Sequence, residues 1–349
     1  MIVPSAKENN TVQPFTRGPS MRDVATAAGV SAQTISRVLN DHPNVQESTR
    51  RRVLAVVEEL GYRRNNTARA LVTGRSKTIG VLTLATNNFS KSALTLGVEL
   101  GAREAGYTVN AVTSDLSVQG LTSAVGRLVL QGVDGIVIAA PLQGAADQVS
   151  KLTQRIPIIN TDGSTSLGER VVGVDQDIAA VLATQHLLDL GHQTVWHVAG
   201  PQEWSDALAR RNSWHRTLHD AGREAPPELE GDWSPESGYR NGLILGRKPE
   251  VTAIFVASDE MAFGVLRALT ELGRRVPEDV SVVGIDDIDL AAYSNPPLTT
   301  VRQSFEDTGR RAVASIVAQI ANPALVSTPD LVAPTLIVRG STAPPPAAD

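Results

Sequence analysis

The run Ser31-Ala-Gln-Thr-Ile-Ser-Arg-Val-Leu-Asn40 holds groups able to read a nucleic acid. Coiled as a helix, it turns Ile35, Val38 and Leu39 to one side and Ala32, Gln33, Ser36 and Arg37 to the other. In a major groove Gln33 can pair bidentately with adenine, and Arg37 with guanine or a phosphate. Ser31, Thr34, Asn40 and Thr49 suit phosphate contacts, which fix register without reading sequence. A second set of residues suits a different ligand. Asp162 follows the apolar run IPIIN, Ser258 and Asp259 follow AIFVA, and Asp286 and Asp287 follow VSVVGI. Arg210 and Trp233 lie beyond the strand-like TVWHVA. Carboxylates accept hydrogen bonds from paired hydroxyls, arginine donates to hydroxyl oxygens, and an indole covers the apolar face of a sugar ring. The constellation is carbohydrate-like. A structural alternative stands beside it for Asp259, Asp287, Asp175 and Asp177, because strand-end aspartates often cap the next helix.

Catalysis finds no support. No G-x-x-x-x-G-K-[ST] or G-x-G-x-x-G loop is present, and no nucleophile–base pair is visible. His186 and His192 are six residues apart with Gly191 between them, which is the wrong spacing for a helical zinc pair. They are expected to pack a helix and its end. Asp286, Asp287 and Asp289 form an acidic cluster without identifiable converging ligands. With no cysteine in the chain, a disulfide scaffold, a thiolate metal site and a cysteine nucleophile are excluded. No cofactor or metal is expected, and the chain is read as a non-enzyme.

These groups sit in 349 residues, enough for two or three domains. A hydrophobic content of 42% with 20% charged residues excludes global disorder, and 4% aromatics makes the core aliphatic. No apolar run reaches the roughly 20 residues of a membrane span. The N-terminus lacks an apolar signal core, so a cytoplasmic location is expected. The net charge of −5 conceals an asymmetry. Residues 1–77 hold 12 Lys+Arg against 6 Asp+Glu, leaving 20 against 31 in the remainder. A basic head on an acidic body suits a polyanion, although a merely solvated basic face has the same composition.

Residues 20–62 read as three helices. Ser20 and Asp23 form a capping-box pattern, and Val24, Ala25 and Ala28 give the first helix its apolar face. Gly29 permits a tight turn, and Ser31 caps the second helix. Ser48 or Thr49 starts the third, with Val53, Val56, Val57 and Leu60 as its packing stripe and Gly61 at its end. Two helices joined by a short glycine turn make a helix-turn-helix. The basic stretch 63–77 can form about two helical turns around 66–71, too short to stand alone in water. From residue 78, strand-like runs alternate with amphipathic stretches: 78–84, 107–113, 135–140, 156–160, 171–174, 194–199, 252–257, 280–285 and 335–339. They read as apolar on both faces, as in doubly wound parallel sheets covered by helices. Nine or so strands suit two subdomains. Ligands of such sheets bind beyond the strands' carboxyl ends.

The run Asp23–Asn40, followed by V-x-x-S-T-R-x-x-V, E-L-G-Y (59–62) and N-x-x-A-R-x-L (65–71), resembles the lactose-repressor (LacI) family. Later motifs keep the family's order: H-L-L-x-L-G-H (186–192), A-G-P (199–201), G-D-W-S-x-x-S-G-Y (231–239), S-D-E-M-A-x-G (258–264), V-P-E-D-V-S-V-V-G-I-D-D (276–287) and P-P-L-T-T-V (296–301). The likeness spans residue 20 to about 340. Through GDWS and QSF the body looks closest to galactoside-responsive members.

The resemblance implies an α/β fold: a three-helix helix-turn-helix head and two doubly wound, periplasmic-binding-protein-like subdomains. It implies a disordered arm (1–19), the head (20–64), a hinge (65–77), and an effector and dimerisation body (78–340). Within the body, 78–174 and 304–330 form one subdomain, and 175–303 with 331–340 the other. It extends the DNA-facing set to Ser20, Met21, Asn44, Tyr62, Asn65 and Ala68. Leu71, on paired hinge helices, would wedge into a minor-groove base step. Read without the resemblance, the hinge is a plain linker whose leucine packs on the body. Asp162, Arg210, Trp233, Asp286, Gln303 and Phe305 match effector contacts. Ser258 stands where galactoside-responsive members carry asparagine, as does Ala139, and 85–94 departs from their apolar lining.

The implied function is a homodimeric repressor of carbohydrate-utilisation genes on a pseudo-palindromic operator, released by a galactoside-like sugar. The C-terminus lacks leucine heptads, so a dimer with a disordered tail (341–349) is expected. Two alternatives stay open: a corepressor-type regulator sensing another small molecule such as a purine, and a sugar-binding sensor that does not act on DNA.

Overall fold

A computed structural model describes residues 18–62, 74–84, 89–142, 144–162, 171–325 and 328–347. The chain divides into two compact units, Met1–Gly74 and Arg75–Asp349. The hinge residues Asn65, Ala68 and Leu71 lie outside the described residues, as does most of the N-terminal arm.

The head consists of α1 (Met21–Ala28), α2 (Ala32–Leu39) and α3 (Glu47–Glu59). Ser20 completes the capping box: its Oγ accepts from the Asp23 amide at 3.4 Å, and Asp23 Oδ2 accepts from the Ser20 amide at 2.7 Å. Gly29 takes φ +63°, a left-handed conformation open to glycine at no steric cost, and turns the chain into α2. Ser31 caps α2 through the Thr34 amide at 3.1 Å. The third helix differs from the expected start at Ser48 or Thr49. It begins at Glu47, and its N-cap Gln46 makes no side-chain cap bond. Val24, Ile35, Val38 and Val53 are fully enclosed, whereas Leu60, expected in the stripe, lies at the surface. The turn that ends α3 at Gly61 carries the following Tyr62 inward in its place.

The body opens with β1 (Thr78–Leu84), α4 (Phe89–Glu104), β2 (Thr108–Ser114), α5 (Val118–Leu130), β3 (Gly135–Ala139), α6 (Ala146–Leu152) and β4 (Ile158–Asn160). Its strands pair in parallel in the order β2-β1-β3-β4. Then come β5 (Val172–Val174), α7 (Gln176–Asp189), β6 (Trp196–Ala199), α8 (Ser205–Asp220), β7 (Leu229–Glu230), α9 (Pro235–Gly246), β8 (Ala253–Val256), α10 (Asp259–Glu271) and β9 (Ser281–Asp286). After β10 (Thr299–Arg302), the helix α11 (Phe305–Ala321) returns to the first sheet, and β11 (Asp330–Val332) and β12 (Thr335–Ile337) follow. The second sheet runs β12-β10-β9-β8-β6-β7, and β5 pairs separately with β11. The α/β class and the parallel sheets are as the sequence implied, with β12 the antiparallel exception.

Three short strands, β7, β10 and β11, escape the hydropathy pattern, since each has only two to four residues with a Glu, Arg or Asp among them. The expectation of strands apolar on both faces fails for β2. It is an edge strand, and Thr108, Ala111 and Thr113 are exposed. The return of α11 brings Ala312, Val313 and Ile316 into the core around β1 and β3. It also presses Gly309 against α4, where a Cβ would stand 2.5 Å from the Leu94 carbonyl oxygen.

The tail expected to be disordered is held in its first residues. Ser341 is fully buried, accepts from the Thr299 amide at 2.8 Å and donates to the Val282 carbonyl at 2.6 Å. His192 Nε2 meets the Ala343 carbonyl at 3.0 Å and His186 Nε2 meets Thr342 Oγ1 at 3.0 Å. Backbone and side-chain hydrogen bonds, with no apolar pattern, fix these residues. Hydropathy could not show it.

Candidate functional site

Two surfaces carry the candidate residues, one in each unit. In the head, α2 presents Ala32, Gln33, Arg37 and Asn40 to solvent, with Thr34 and Ser36 half-buried beside them. Asn44 is exposed and Thr49 half-buried. The turn between α2 and α3 is clamped by Arg50, which bonds Asp41 at 2.7 Å and the His42 carbonyl at 3.0 Å. Asp41 there takes φ +50°. Ser31 Oγ also lies 2.9 Å from Thr34 Oγ1, so these two hydroxyls are pre-positioned at the helix start. Two residues of the DNA-facing set are placed differently. Tyr62 is 9% exposed and packs into the head's core, with Met21 partly buried against the same cluster.

In the body the candidate site is a cavity of about 670 Å³, counting its open mouth. Five of the seven residues read as effector contacts line it: Arg210, Trp233, Ser258, Asp286 and Phe305. Gln303 does not. It stands behind Asp286, donating to Asp286 Oδ1 at 2.6 Å, and accepts from Gln176 Nε2 at 2.8 Å. Gln176 in turn accepts from Arg210 Nε at 2.8 Å. A continuous chain thus runs Arg210–Gln176–Gln303–Asp286. Asp162 is buried but off the lining, its Oδ1 accepting from Asn160 Nδ2 and its carbonyl from Ser205 Oγ at 2.8 Å.

Each of these groups is fixed by its element. Arg210 reaches in from α8 and is anchored by a bond from Nη1 to the Ala257 carbonyl at 2.5 Å. Its guanidinium lies 5.6 Å from the centre of the Trp233 ring. Trp233 has φ +70°, and Asp286 has φ +123°, both in the left-handed half of backbone space. Such strain persists where surrounding structure enforces it, and commonly at ligand sites. Gly200 of the A-G-P motif makes room for the indole: a Cβ there would lie 2.2 Å from the ring. Ser258 caps α10 through the Met261 amide at 3.3 Å, so its short hydroxyl serves helix and cavity together.

Burial dominates the electrostatics. It pushes the Asp286 carboxyl up to about 7, against the opposing pull of Arg210 and the Gln303 bond. The carboxyls of Asp206 and Glu260 are raised for the same reason. Asp259 is raised well above the usual range by burial and by neighbouring Asp286.

The aspartates with a structural alternative separate cleanly. Asp175 caps α7 through the Ile178 amide at 2.9 Å. Asp177 binds Ser213 and Arg216. Asp259 accepts from Thr300 Oγ1 at 2.6 Å and the Ile288 amide at 3.0 Å, behind the cavity wall. Asp287 is clasped by Arg302 at 2.6 Å and Arg339 at 2.5 Å. Ala139 is fully buried at the end of β3 and off the lining.

Sequence reasoning missed Gln176, Lys91, Trp204, Asp206 and Glu260. Gln176 and Asp206 had a usable signal, since Gln176 opens α7 just after β5 and Asp206 lies in the first turn of α8 after β6. Lys91 and Trp204 had none of that kind, because their approach depends on how the two subdomains of the body face each other. Trp204 meets Trp233 edge-on, ring centres 5.9 Å apart. No group of three or more His, Cys, Asp or Glu able to hold a metal occurs among the described residues.

Comparison with known proteins bears on both surfaces. Residues 20–65 match the model of bacterial regulatory proteins of the lacI family, and residues 184–342 match a periplasmic binding protein-like domain. The lactose operon repressor of Escherichia coli (strain K12) is 34% identical over 329 residues, covering 93% of this chain and 91% of that protein. The ribose operon repressor of the same strain is 31% identical over 329 residues, covering 92% and 99%. A crystal structure of the lac repressor dimer, bound to operator and the anti-inducer ONPF, superposes with a TM-score of 0.88 at 33% identity, covering 94% of this chain and 100% of that one. Among the described residues no helix is long and apolar enough to cross a membrane.

Proposed function

The chain belongs to the lacI family of bacterial regulatory proteins, and on that premise we propose that it is a sugar-released repressor of carbohydrate-utilisation genes. It is a DNA-binding transcriptional repressor, and the relatives it matches are operon repressors rather than enzymes. The finer reading assigns the exposed face of α2 to the major groove of a pseudo-palindromic operator. Gln33 and Arg37 read base edges, and Ser31, Thr34, Asn40 and Thr49 hold phosphates. A homodimer supplies the matching two-fold symmetry.

One observation carries the effector reading: the chain Arg210–Gln176–Gln303–Asp286 beside the Trp233 ring. It presents a fixed guanidinium donor, a fixed carboxyl group and an indole face to one cavity. Such a set matches a polyhydroxylated ring. A galactoside is the favoured class, supported by the lactose operon repressor at 34% identity. Ser258, with its hydroxyl used as a helix cap, offers a shorter arm than asparagine. Two relatives named for different sugar operons differ by only three points of identity, so the panel tested must be wider than galactosides.

Release requires that the sugar bind the DNA-weak arrangement more tightly, because equal affinity for both shifts nothing. A tenfold drop in operator affinity needs about 1.4 kcal/mol of differential binding. The test is fluorescence anisotropy of a labelled palindromic duplex taken from upstream of the gene, at fixed salt, with galactosides, glucosides and free sugars. Tight binding weakened by one sugar supports the proposal. Tight binding that no sugar alters removes the effector reading. Sugar binding without duplex binding removes the assignment of α2.

A further inference from the structure

The cavity holds one cation that the network above does not use. Lys91 enters from the start of α4, is 9% exposed and lines the cavity. Among the described residues its ammonium makes no hydrogen bond or ion pair. Its Nζ lies 5.4 Å from the centre of the Trp204 ring. A buried ammonium has three donors and is costly to leave without acceptors. Burial depresses its pKa, while Asp206, Asp162 and Asp286 attract it and Arg210 repels it.

The surrounding charges restrict what can satisfy it. The lining contains two cations, Lys91 and Arg210, and three carboxyls, Asp206, Glu260 and Asp286. An anionic ligand would meet three carboxyls, and a cationic ligand two cations. A neutral polyhydroxylated ligand avoids both conflicts, because one hydroxyl accepts from an ammonium and donates to a carboxylate. Lys91 comes from the subdomain built on β1, and Asp206 from α8 of the subdomain built on β6. Phe89, Ser90 and Leu94 line the same wall, so Lys91 is its charged group.

We propose that Lys91 is a specificity-determining residue that donates to a hydroxyl or ring oxygen of a neutral sugar, opposite Asp206, in a cavity whose three carboxyls disfavour sugar acids. The inference rests on the sugar reading above and adds its polar anchor on α4.

Trp204 and Trp233 line the same cavity and give an intrinsic fluorescence signal. The full-length protein and its Lys91→Met and Lys91→Gln variants are titrated with lactose, ribose and galacturonate. Operator binding without sugar monitors the fold. The expected result is that a neutral sugar binds the wild type and loses about 10- to 100-fold affinity in Lys91→Met, the usual range for a hydrogen bond to a charged group. Lys91→Gln, which keeps a neutral donor, loses less and serves if the Met variant misfolds. Affinities within twofold of wild type in both variants overturn the role of Lys91 while leaving the sugar reading intact. Tighter binding of galacturonate than of either neutral sugar overturns the selection for neutral ligands. A wild type that binds none of the three, nor any sugar of the wider panel above, overturns both readings together.

Discussion

The head and the cavity arrange their polar groups in opposite ways. On the head, the proposed base-reading residues lie within four positions of one another on α2, and both are exposed. In the cavity, the polar groups come from α4, α7, α8 and β9, and Lys91, Gln176, Arg210 and Asp286 are all buried. An exposed face keeps its side chains hydrated until the polyanion arrives, so it needs little support from the fold. A buried set must satisfy itself first, and so Arg210 and Asp286 are tied through two glutamines. The consequence is a difference in fragility. Single changes in the head should act on one contact each, and single changes in the cavity should propagate along the chain of bonds.

The largest effect is expected from Arg210→Ala. It removes the cavity's anchored donor and orphans Gln176, so sugar affinity should fall more than about 100-fold. Operator affinity should be unchanged, as read by anisotropy on the same preparation. Loss of operator binding with an intact melting transition would break the separation of the two regions. Next, Gln33→Ala and Arg37→Ala should each weaken operator binding by about 10- to 100-fold, the range for a lost bidentate base contact, and leave sugar titrations unaltered. An operator variant changed at the matching base should show no further loss in the same mutant.

Asp286 sharpens the comparison through pH. Its carboxyl is raised to about 7 from an ordinary value of 3.8, so the folded protein favours the protonated form. The linkage sign follows: folding stability falls as pH rises from near 4 towards 7, because ionising a buried acid opposes folding. A sugar hydroxyl that donates to the ionised carboxylate reverses this preference, so sugar affinity should rise by about tenfold between pH 6 and pH 8. Calorimetric titrations at both pH values test it, with Asp286→Asn expected to flatten the profile. A head contact such as Gln33 should show no such dependence.

Smaller still is the effect of Gly200→Ala. Its Cβ would displace the Trp233 ring, and about a tenfold loss of sugar affinity should accompany a shift in Trp emission. The smallest effect belongs to the uncapped start of α3. Gln46→Ser should add a cap bond to α3 and stabilise the head by about 0.5–1 kcal/mol. Greater hydrogen-exchange protection of the Ser48 and Thr49 amides would report it.

The sequence by itself determined whatever depends on neighbours along the chain. Ser20 and Ser31 as caps, Gly29 as the left-handed turn and the apolar set Val24, Ile35, Val38 and Val53 all follow from spacing within a few residues. The strand-end positions of Asp286 and Ser258 also follow, since hydropathy locates a buried strand and parallel sheets place ligands at its end. What only the tertiary structure decided depends on which segments meet. The return of α11 to the first sheet, the placement of Gln303 behind Asp286, the fixing of Ser341 beneath Thr299, and the arrival of Lys91 beside Trp204 join residues far apart in sequence. Cap and turn energies are local, and a pattern of residue types records them. The position of a buried charge is set by the packing of whole elements, and no short window of sequence contains that information.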